Sequence, residues 1–303
     1  MTVRVGVHPS NHTLFITSHL PALRAALGDV EWVRYPGGAS TVHRIGAGDI
    51  DVGGTGSTPP ITGQAAGVDL VYLATSAPRP AHGKLVVPRG SSVRTVDDLR
   101  GRQVAFGIGS WQTQLLAVLL DRAGLAYDDI EPVPAGPDTY GRFTAGRIDA
   151  WVAPNPPLDR LVRDLGARVV AETTDYISNP SVFFADRAFA TEHRAEVAHV
   201  LAGLHAADLW IATHPDEAAA VYSEHAPAGA TFEEWAGALL ARPWGLRTPD
   251  AEFLAEQQRA ADVFHRFGII AEPVTVADAT LADPVPVPDA EPSGGADEPA
   301  RSF

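Results

Sequence analysis

Residues 50–60 read I-D-V-G-G-T-G-S-T-P-P, which predicts a short apolar strand followed by a glycine turn and a helix. Pro59 and Pro60 suit the first turn of that helix, where a backbone N–H has no partner inside the helix. The serine and threonine before them can accept hydrogen bonds from the remaining free N–H groups. This combination favours an anion-binding corner, although many α/β proteins turn from strand to helix in this way without binding an anion.

Strands and helices alternate on both sides of this corner. Because strands that alternate with helices are typical of parallel, doubly wound sheets, the sequence predicts an α/β fold. Further strands are predicted at residues 3–7, 30–35, 70–74, 84–87, 103–106, 130–133, 148–153, 169–172 and 181–185. One helix is predicted over residues 13–27, and the chain after residue 193 is predicted to be mostly helical.

A five-residue run repeats in the chain. A-G-D-I-D at residues 47–51 recurs as A-G-R-I-D at residues 145–149, and in both places a helix ends and a strand begins. The repeat favours two lobes of the same α/β plan with a cleft between them. Ligands of such sheets bind beyond the carboxyl ends of the strands. This rule gathers five loops around one cleft, which are residues 8–12, 37–40, 54–58, 107–112 and 153–156.

A second glycine turn, G-I-G-S at residues 107–110, also leads from a strand into a helix. It is not a dinucleotide fingerprint, because Gln112 stands where a later glycine belongs, and it lacks the lysine of a P-loop. Two opposed helix N-termini, one in each lobe, suit a compact oxyanion such as a sulfonate, a sulfate or a carboxylate. Trp111 either faces the organic part of such a ligand or belongs to the core of an amphipathic helix.

Composition excludes several classes of function. The chain has 303 residues, a formal net charge of −14 and no cysteine. The acidic balance argues against nucleic acid and anionic membranes as partners. The lack of cysteine excludes disulfides, thiolate chemistry and cysteine-ligated zinc. The sequence has no metal-binding spacing such as H-E-x-x-H, so we expect neither a metal nor a cofactor.

The first residues, M-T-V-R-V-G-V-H-P, begin almost at once as a strand and show no charged segment followed by an apolar one. The sequence therefore predicts no signal peptide, and no apolar run approaches the length that crosses a bilayer. We expect a monomer that is cytoplasmic as encoded, and extracytoplasmic only if a leader is missing from this sequence.

Three histidines, His8, His12 and His43, lie in or near the predicted cleft loops. A lone loop histidine is more often solvated than functional. Ser10 can act as a nucleophile only with a base beside it, and His12 and His43 are the candidates for that base. A turn-forming serine after Pro9 is the favoured interpretation, and the chain has no G-x-S-x-G elbow.

Three segments carry a resemblance to a known family. They are G-G-A-S-T-V-H-R-I-G-A-G-D-I-D-V-G-G-T-G-S-T-P-P-I-T-G-Q-A-A-G-V-D-L-V-Y-L-A at residues 37–74, T-V-D-D-L-R-G-R-Q-V-A-F-G-I-G-S at 95–110 and A-E-Q-Q-R-A-A-D-V-F-H-R-F-G-I-I at 255–270. Over residues 3–275 the chain resembles the alkanesulfonate- and taurine-binding proteins of ABC importers. The resemblance implies a type II periplasmic-binding-protein fold, in which two α/β lobes close over a ligand. It also implies hinge crossings near residues 80–90 and 180–190.

The expected lobes are residues 1–85 with 187–278 (lobe I) and residues 86–186 (lobe II), and the acidic, proline-rich residues 279–303 are expected to be disordered. The resemblance implies a small organic anion as ligand and an ABC permease as partner. By position, the family's ligand loops fall on Asn11, His12, Gly38, Ala39, Thr55, Gly56 and Ser57 in lobe I and on Ser110, Trp111, Gln112 and Asn155 in lobe II. Asn155 stands between two prolines where the family often has Trp-Asp-Pro, so the ligand need not be the same.

The fold also has enzyme relatives, which keeps a second hypothesis open. His43 is similar in position to a catalytic histidine of the aromatic-sulfinate desulfinases, and their nucleophilic cysteine falls near Ser10. Without cysteine, a cysteine-dependent desulfination is excluded, and the histidine- and cysteine-rich site of the thiamin-pyrimidine synthases is absent. The first hypothesis is a binding protein that performs no chemistry. The second is a cytoplasmic lyase or biosynthetic enzyme in which His43 acts as acid or base and Ser10 or His12 assists.

Overall fold

The strands form two separate sheets. The computed structural model describes residues 1–79, 81–226 and 230–288. Within these residues the strands are β1 (Val3–Val7), β2 (Val30–Arg34), β3 (Val52–Thr55), β4 (Leu70–Ser76), β5 (Gly83–Val87), β6 (Gln103–Phe106), β7 (Glu131–Pro134), β8 (Ala150–Pro154), β9 (Arg168–Glu172), β10 (Val182–Asp186) and β11 (Leu246–Arg247). The first sheet has the order β11-β4-β10-β3-β1-β2, and the second has the order β7-β6-β8-β5-β9.

Helices surround both sheets. In the described residues they are α1 (His12–His19), α2 (Pro21–Ala26), α3 (Thr41–Gly46), α4 (Thr58–Ala65), α5 (Trp111–Arg122), α6 (Thr139–Thr144), α7 (Pro157–Arg163), α8 (Arg187–Glu192), α9 (Arg194–Thr213), α10 (Pro215–His225), α11 (Phe232–Leu240) and α12 (Ala251–Arg266). Over the same residues, no helix combines the length and the apolar character that a bilayer crossing requires.

Pro21 divides the first helical segment in two. The sequence predicts one helix over residues 13–27, whereas the structure has α1 and α2 with a break between them. Leu20 at the break is extended, with φ −96° and ψ 115°. Proline has no N–H for the helix ladder and disfavours helical geometry in the residue before it. The prediction of a continuous helix is therefore wrong at this position.

Both sheets are mixed rather than wholly parallel. β10 runs antiparallel to β3 and β4, β5 runs antiparallel to β8 and β9, and β11 runs antiparallel to β4. β5 and β10 each follow a short crossing between the sheets; its described residues are 77–79 and 81–82 before β5, and 173–181 before β10. Parallel neighbours need a crossover that returns the chain to the same end of the sheet, and a direct crossing does not supply one. The expectation of parallel strands is therefore wrong for β5, β10 and β11.

The two crossings lie a few residues before the positions that the resemblance implies. Within the described residues, β5 pairs with strands of the second sheet alone and β10 with strands of the first alone. The division into residues 1–85 with 187–278 and residues 86–186 stays a prediction. We propose that both lobe boundaries fall inside the crossings, because each of these strands then stays whole within one sheet.

Each sheet buries side chains on both faces. Phe183 and Phe184 are adjacent on β10, are fully buried, and belong to the cores on opposite faces of the first sheet. Successive residues of a strand point to opposite faces, so one strand supplies an aromatic ring to each core. Leu85 and Val86 on β5 divide in the same way between the two cores of the second sheet. This double burial explains the continuous apolar runs of the strands.

The start of the C-terminal segment is ordered against lobe I. Val285 and Val287 are buried in the same core as the first sheet, and Ala279 is buried at the end of a short 3₁₀ turn. The prediction of disorder is therefore wrong for residues 279–288. Three prolines and an aspartate favour an extended chain here, but the buried side chains of Val285 and Val287, two residues apart, attach it to the core. Residues 289–303, the rest of that predicted tail, lie outside the described residues.

Candidate functional site

A cavity of about 350 Å³ lies between the two lobes, where the loops that follow the strands meet. The predicted ligand residues that line it are His12, Gly38, Ala39, Thr55, Gly56, Ser110, Trp111, Gln112 and Asn155. Ser10, the candidate nucleophile, also lines it. Further lining residues that the sequence did not single out for a ligand include Arg79, His82, Ser181, Tyr222 and Trp235. All five predicted loops therefore contribute to one cleft.

Asn11 and Ser57 lie behind the cavity wall and have structural partners. Asn11 is the N-cap of α1, and its side-chain oxygen accepts a hydrogen bond from the Leu14 N–H at 3.1 Å. The Ser57 hydroxyl donates to Oε1 of Gln114, which lies on α5 of the other lobe. Both residues are buried and neither lines the cavity. Their positions in the loops were predicted, whereas their side chains are used for packing within the protein.

The two helix N-termini at the cleft use many of their own donors. Pro59 and Pro60 lie in the first turn of α4 and have no N–H groups, which leaves few donors there for an anion. At α5, Ser110 Oγ accepts a hydrogen bond from the Gln112 N–H at 3.1 Å, and the Gly109 N–H donates to the Thr113 hydroxyl at 2.9 Å. At the two predicted anion-binding corners, the backbone N–H groups are thus largely absent or already bonded within the protein. A charged ligand needs another partner.

That partner is Arg79, which comes from the first crossing. The side chain is 5% exposed, and Arg79 is one of the residues that line the cavity. Nε donates to the Asn179 carbonyl at 2.8 Å, while no acidic side chain in the described residues forms an ion pair with it. Burial lowers the pKa of Arg79 and the nearby Arg242 lowers it further, but arginine remains protonated in proteins. The cleft therefore contains a buried positive charge.

A second buried arginine, Arg242, stands beside the first. It is 4% exposed, its guanidinium lies 4.4 Å from the centre of the Trp244 ring, and Nη2 donates to Ser181 Oγ at 3.3 Å. Its Nε and Nη1 have no hydrogen-bond partner within the described residues. The nearby acid is Asp208, which is fully buried and accepts hydrogen bonds from Thr13 and from the Gly245 N–H. Two buried cations thus face one buried acid.

The cleft histidines are neutral at ordinary pH. Burial lowers the pKa of His8 to about 4, and burial lowers the pKa of His12 and of His82 well below the usual value. Nε2 of His8 lies 2.9 Å from the Gly54 carbonyl, so this nitrogen carries the proton that it donates. His12 lies edge-on to the ring of Tyr222, with 5.3 Å between the ring centres. These rings contribute shape and hydrogen-bond donors rather than charge.

His43 does not reach the cavity. Its neighbours on α3, Val42 and Ile45, are buried, whereas His43 lies on the opposite, exposed face of this short helix. No hydrogen bond joins Ser10 to a histidine in the described part of the chain. The acid–base role predicted for His43 under the enzyme hypothesis therefore has no support in the geometry.

Trp111 serves both of the roles that the sequence left open. It lines the cavity and also packs against the core of the second sheet. Its indole lies directly over the backbone of Gly83, the first residue of β5, and a Cβ at that position would overlap the ring. Glycine is therefore required where the tryptophan crosses the strand that follows the first crossing.

Polar contacts join the lobes around the cavity. The Thr58 hydroxyl, at the start of α4, donates to the Ser110 carbonyl at 2.7 Å. Arg160 on α7 and Glu234 on α11 form an ion pair with 3.0 Å between Nε and Oε1. Trp235, the residue after this glutamate, lines the cavity. The ion pair thus connects lobe II to the helix that supplies one cleft wall.

Two α/β lobes that are connected by two crossings and enclose a polar cavity define a protein of the type II periplasmic-binding-protein fold. The family profile described as NMT1/THI5 like matches residues 28–218. The chain belongs to this family.

Similar proteins agree with this assignment. A curated Escherichia coli relative, provisionally named as an aliphatic sulfonates-binding protein, is 32% identical over 252 residues, or 82% of this chain and 77% of that protein. The alkanesulfonate-binding protein SsuA from Xanthomonas axonopodis pv. citri, solved with bound MOPS, has a TM-score of 0.80 at 29% identity over 92% of this chain and 98% of its own. The periplasmic aliphatic sulphonate binding protein SsuA from Escherichia coli has a TM-score of 0.82 at 30% identity over 92% and 97%. The desulfurization enzyme DSZB, with a TM-score of 0.64 at 19% identity, shares the fold alone. The predicted fold and family are confirmed.

Proposed function

We propose that this chain is the substrate-binding component of an ABC importer and that its cleft binds a small organic sulfonate without changing it. The observation that carries the proposal is Arg79, a buried guanidinium at the cavity wall with no ion-pair partner among the described residues. Taking a cation out of water without a counter-ion is unfavourable by several kcal/mol. An anion in the cleft supplies the missing charge.

A sulfonate also suits the other groups of the wall. Its three oxygens accept hydrogen bonds, and the hydroxyl residues Ser10 and Ser181 line the cavity. Trp111 and Trp235 offer apolar surface to the organic group. A hydrogen bond to a charged group contributes about 1.5–3 kcal/mol, so a few of them account for most of the affinity of a small anion. The relatives whose names include sulfonates support the same ligand class.

The geometry gives less support to an enzyme. His43 is exposed on α3, and Ser10 has no basic partner in the described residues. His12 lines the cavity, but its ring is packed among other aromatic rings. Binding without chemistry therefore remains the favoured hypothesis.

We propose that the protein works outside the cytoplasm beside an ABC permease. An importer collects its substrate on the outer side of the membrane, and the Escherichia coli relative is a periplasmic protein. Size-exclusion chromatography with light scattering tests the predicted monomer, which a dimeric mass would contradict.

Isothermal titration calorimetry tests the ligand class with ethanesulfonate, butanesulfonate and MOPS. We expect wild type to bind, and Arg79→Gln to bind at least tenfold more weakly, because about 1.4 kcal/mol corresponds to a factor of ten. The control is Arg163→Gln, whose side chain is 70% exposed on α7, and which should bind like wild type. Mass spectrometry should recover each ligand unchanged.

Three results would contradict the proposal. If wild type binds no organic sulfonate, the ligand class is wrong. If Arg79→Gln binds like wild type, the charge argument is wrong. A mass change in a recovered ligand would instead support an enzyme. Urea unfolding of the variant verifies that it is folded.

A further inference from the structure

Arg79, in the first crossing, is hydrogen-bonded to the second crossing at two points. Its backbone N–H donates to the Ser178 carbonyl at 2.8 Å, and its Nε donates to the Asn179 carbonyl at 2.8 Å. Nearby, the N–H of Ser76, the last residue of β4, donates to the Ser181 carbonyl at 2.8 Å. The place of the Arg79 guanidinium therefore depends on the second crossing, and above all on Ser178 and Asn179.

Asn179 has an unusual backbone conformation. Its φ is 48°, and no other residue except glycine has a positive φ in the part of the chain that the structure describes. A side chain disfavours this left-handed conformation, although asparagine tolerates it better than most residues. The Asn179 side chain is fully buried, and neither Nδ2 nor Oδ1 has a hydrogen-bond partner among the described residues. The backbone carbonyl is thus the polar group of Asn179 that contacts Arg79.

Glu256 on α12 holds the second crossing at Ser178. The Ser178 nitrogen lies 3.0 Å from both carboxylate oxygens of Glu256 and donates its hydrogen to them. A hydrogen bond to a charged acceptor is about twice as strong as one between neutral groups. Phe253 and Phe264 anchor α12 in a core of the first sheet. Glu256 therefore ties the residue before Asn179 to a well-packed helix.

We propose that Glu256 and Asn179 are positioning residues, which hold the Arg79 guanidinium at the cleft so that it can bind an anion. Neither residue lines the cavity. Glu256 fixes Ser178, and the Asn179 carbonyl then accepts from Nε of Arg79. A binding group keeps its geometry only when neighbouring hydrogen bonds restrict it. The identity of the anion, an organic sulfonate, rests on the proposed function.

The loss of this support should weaken binding moderately. When Ser178 is not held, the Asn179 carbonyl and the Arg79 side chain that donates to it become less ordered, and binding an anion has to order them again. Ordering one long side chain on binding weakens affinity about fivefold, which corresponds to about 1 kcal/mol.

Hydrogen exchange of the Arg79 Nε–H tests the positioning without any ligand. In protein with isotopically labelled arginine, this NMR resonance is the one that Arg79→Gln removes. We expect its exchange with water to be about tenfold faster in Glu256→Ala than in wild type. The matched control is Glu252→Ala, which removes an exposed carboxylate from the same helix and should exchange like wild type. Asn179→Gly, the conservative variant, keeps the carbonyl and adopts a positive φ without steric cost, so slow exchange should be retained.

Isothermal titration calorimetry of the full chain with ethanesulfonate measures the consequence for binding. We expect Glu256→Ala to bind about fivefold more weakly than wild type, and Glu252→Ala and Asn179→Gly to bind within about twofold of wild type. Urea unfolding verifies that each variant is folded. If Glu256→Ala does not fold, Glu256→Gln replaces it, because it keeps one acceptor for the Ser178 N–H, and it should show smaller changes in the same direction.

Each outcome decides the proposal. Faster exchange of the Arg79 Nε–H together with weaker binding in the Glu256 variant supports it. Wild-type exchange in that variant overturns it, and so does wild-type affinity for ethanesulfonate despite faster exchange. If wild type itself binds no sulfonate, the proposed function fails, and the exchange rates still decide whether Glu256 holds Arg79 in place.

Discussion

Acid should destabilise this protein through the buried histidines of its cleft. Burial holds the pKa of His8 at about 4, against an ordinary value of 6.5, and lowers the pKa of His12 and His82 as well. As the pH falls below 6.5, the unfolded chain takes up protons on these rings, whereas folded His8 stays neutral until the pH approaches 4. Because the unfolded state then binds more protons, the free energy of unfolding decreases as the pH falls.

The pKa of His8 sets the size of the change in the free energy of unfolding. At pH 5 the unfolded ring is almost fully protonated and the folded ring is mostly neutral, so this residue alone lowers the free energy of unfolding by about 2 kcal/mol relative to pH 7.5. His12 and His82 act in the same direction. His8→Gln keeps a donor for the Gly54 carbonyl, which lies 2.9 Å from Nε2 of the histidine, but it adds no group that titrates in this range.

Urea unfolding followed by circular dichroism at pH 7.5, 6 and 5 measures the effect. From pH 7.5 to pH 5 the free energy of unfolding of wild type should fall by at least about 2 kcal/mol. For His8→Gln the fall should be about 2 kcal/mol smaller. His43→Gln is the matched control, because it makes the same substitution at an exposed histidine. If His8→Gln shows the same pH profile as wild type, the buried neutral ring does not cause the acid sensitivity.

Two further predictions concern the lobe contact and the C-terminal segment. Glu234→Gln removes the charge that pairs with Arg160 but keeps an oxygen for the Thr231 N–H. We expect ligand release, measured by stopped-flow fluorescence, to become about two- to fivefold faster. An unchanged rate would show that the ion pair does not hold the lobes closed. Val285→Ala should lower the free energy of unfolding by about 2 kcal/mol, because it removes buried methyl groups from the lobe I core. An unchanged urea midpoint would show that residues 279–288 do not contribute to stability.

Local signals predicted the loops of the cleft well. Thr55, Gly56 and Ser110 lie at glycine turns between a strand and a helix, and these turns depend on backbone geometry that short sequence patterns specify. The same signals give the position of a residue but not the direction of its side chain. Ser57 was predicted to bind ligand, yet its hydroxyl is engaged with Gln114 across the lobe contact.

Tertiary packing determined the features that the sequence could not show. Arg79 and His82 belong to a crossing without strand or helix periodicity, so nothing local indicates that they become buried between the lobes. Tyr222 and Trp235 come from α10 and α11, far away in sequence, and their helical spacing resembles that of ordinary core residues. An arginine between two prolines, as at residues 78–80, was the one available signal for the cation.

The excess of buried positive charge links the ligand's charge to lobe closure. In an open cleft water hydrates Arg79, whereas closing the lobes around an empty cavity would remove that water and supply no anion. Asp208 offsets the charge of only one of the two arginines. A neutral molecule of the right shape can fill the space but leaves the electrostatic penalty in place, so it favours closure less than an anion does. We therefore expect an anionic ligand to stabilise the closed arrangement of the lobes more than a neutral molecule of the same shape.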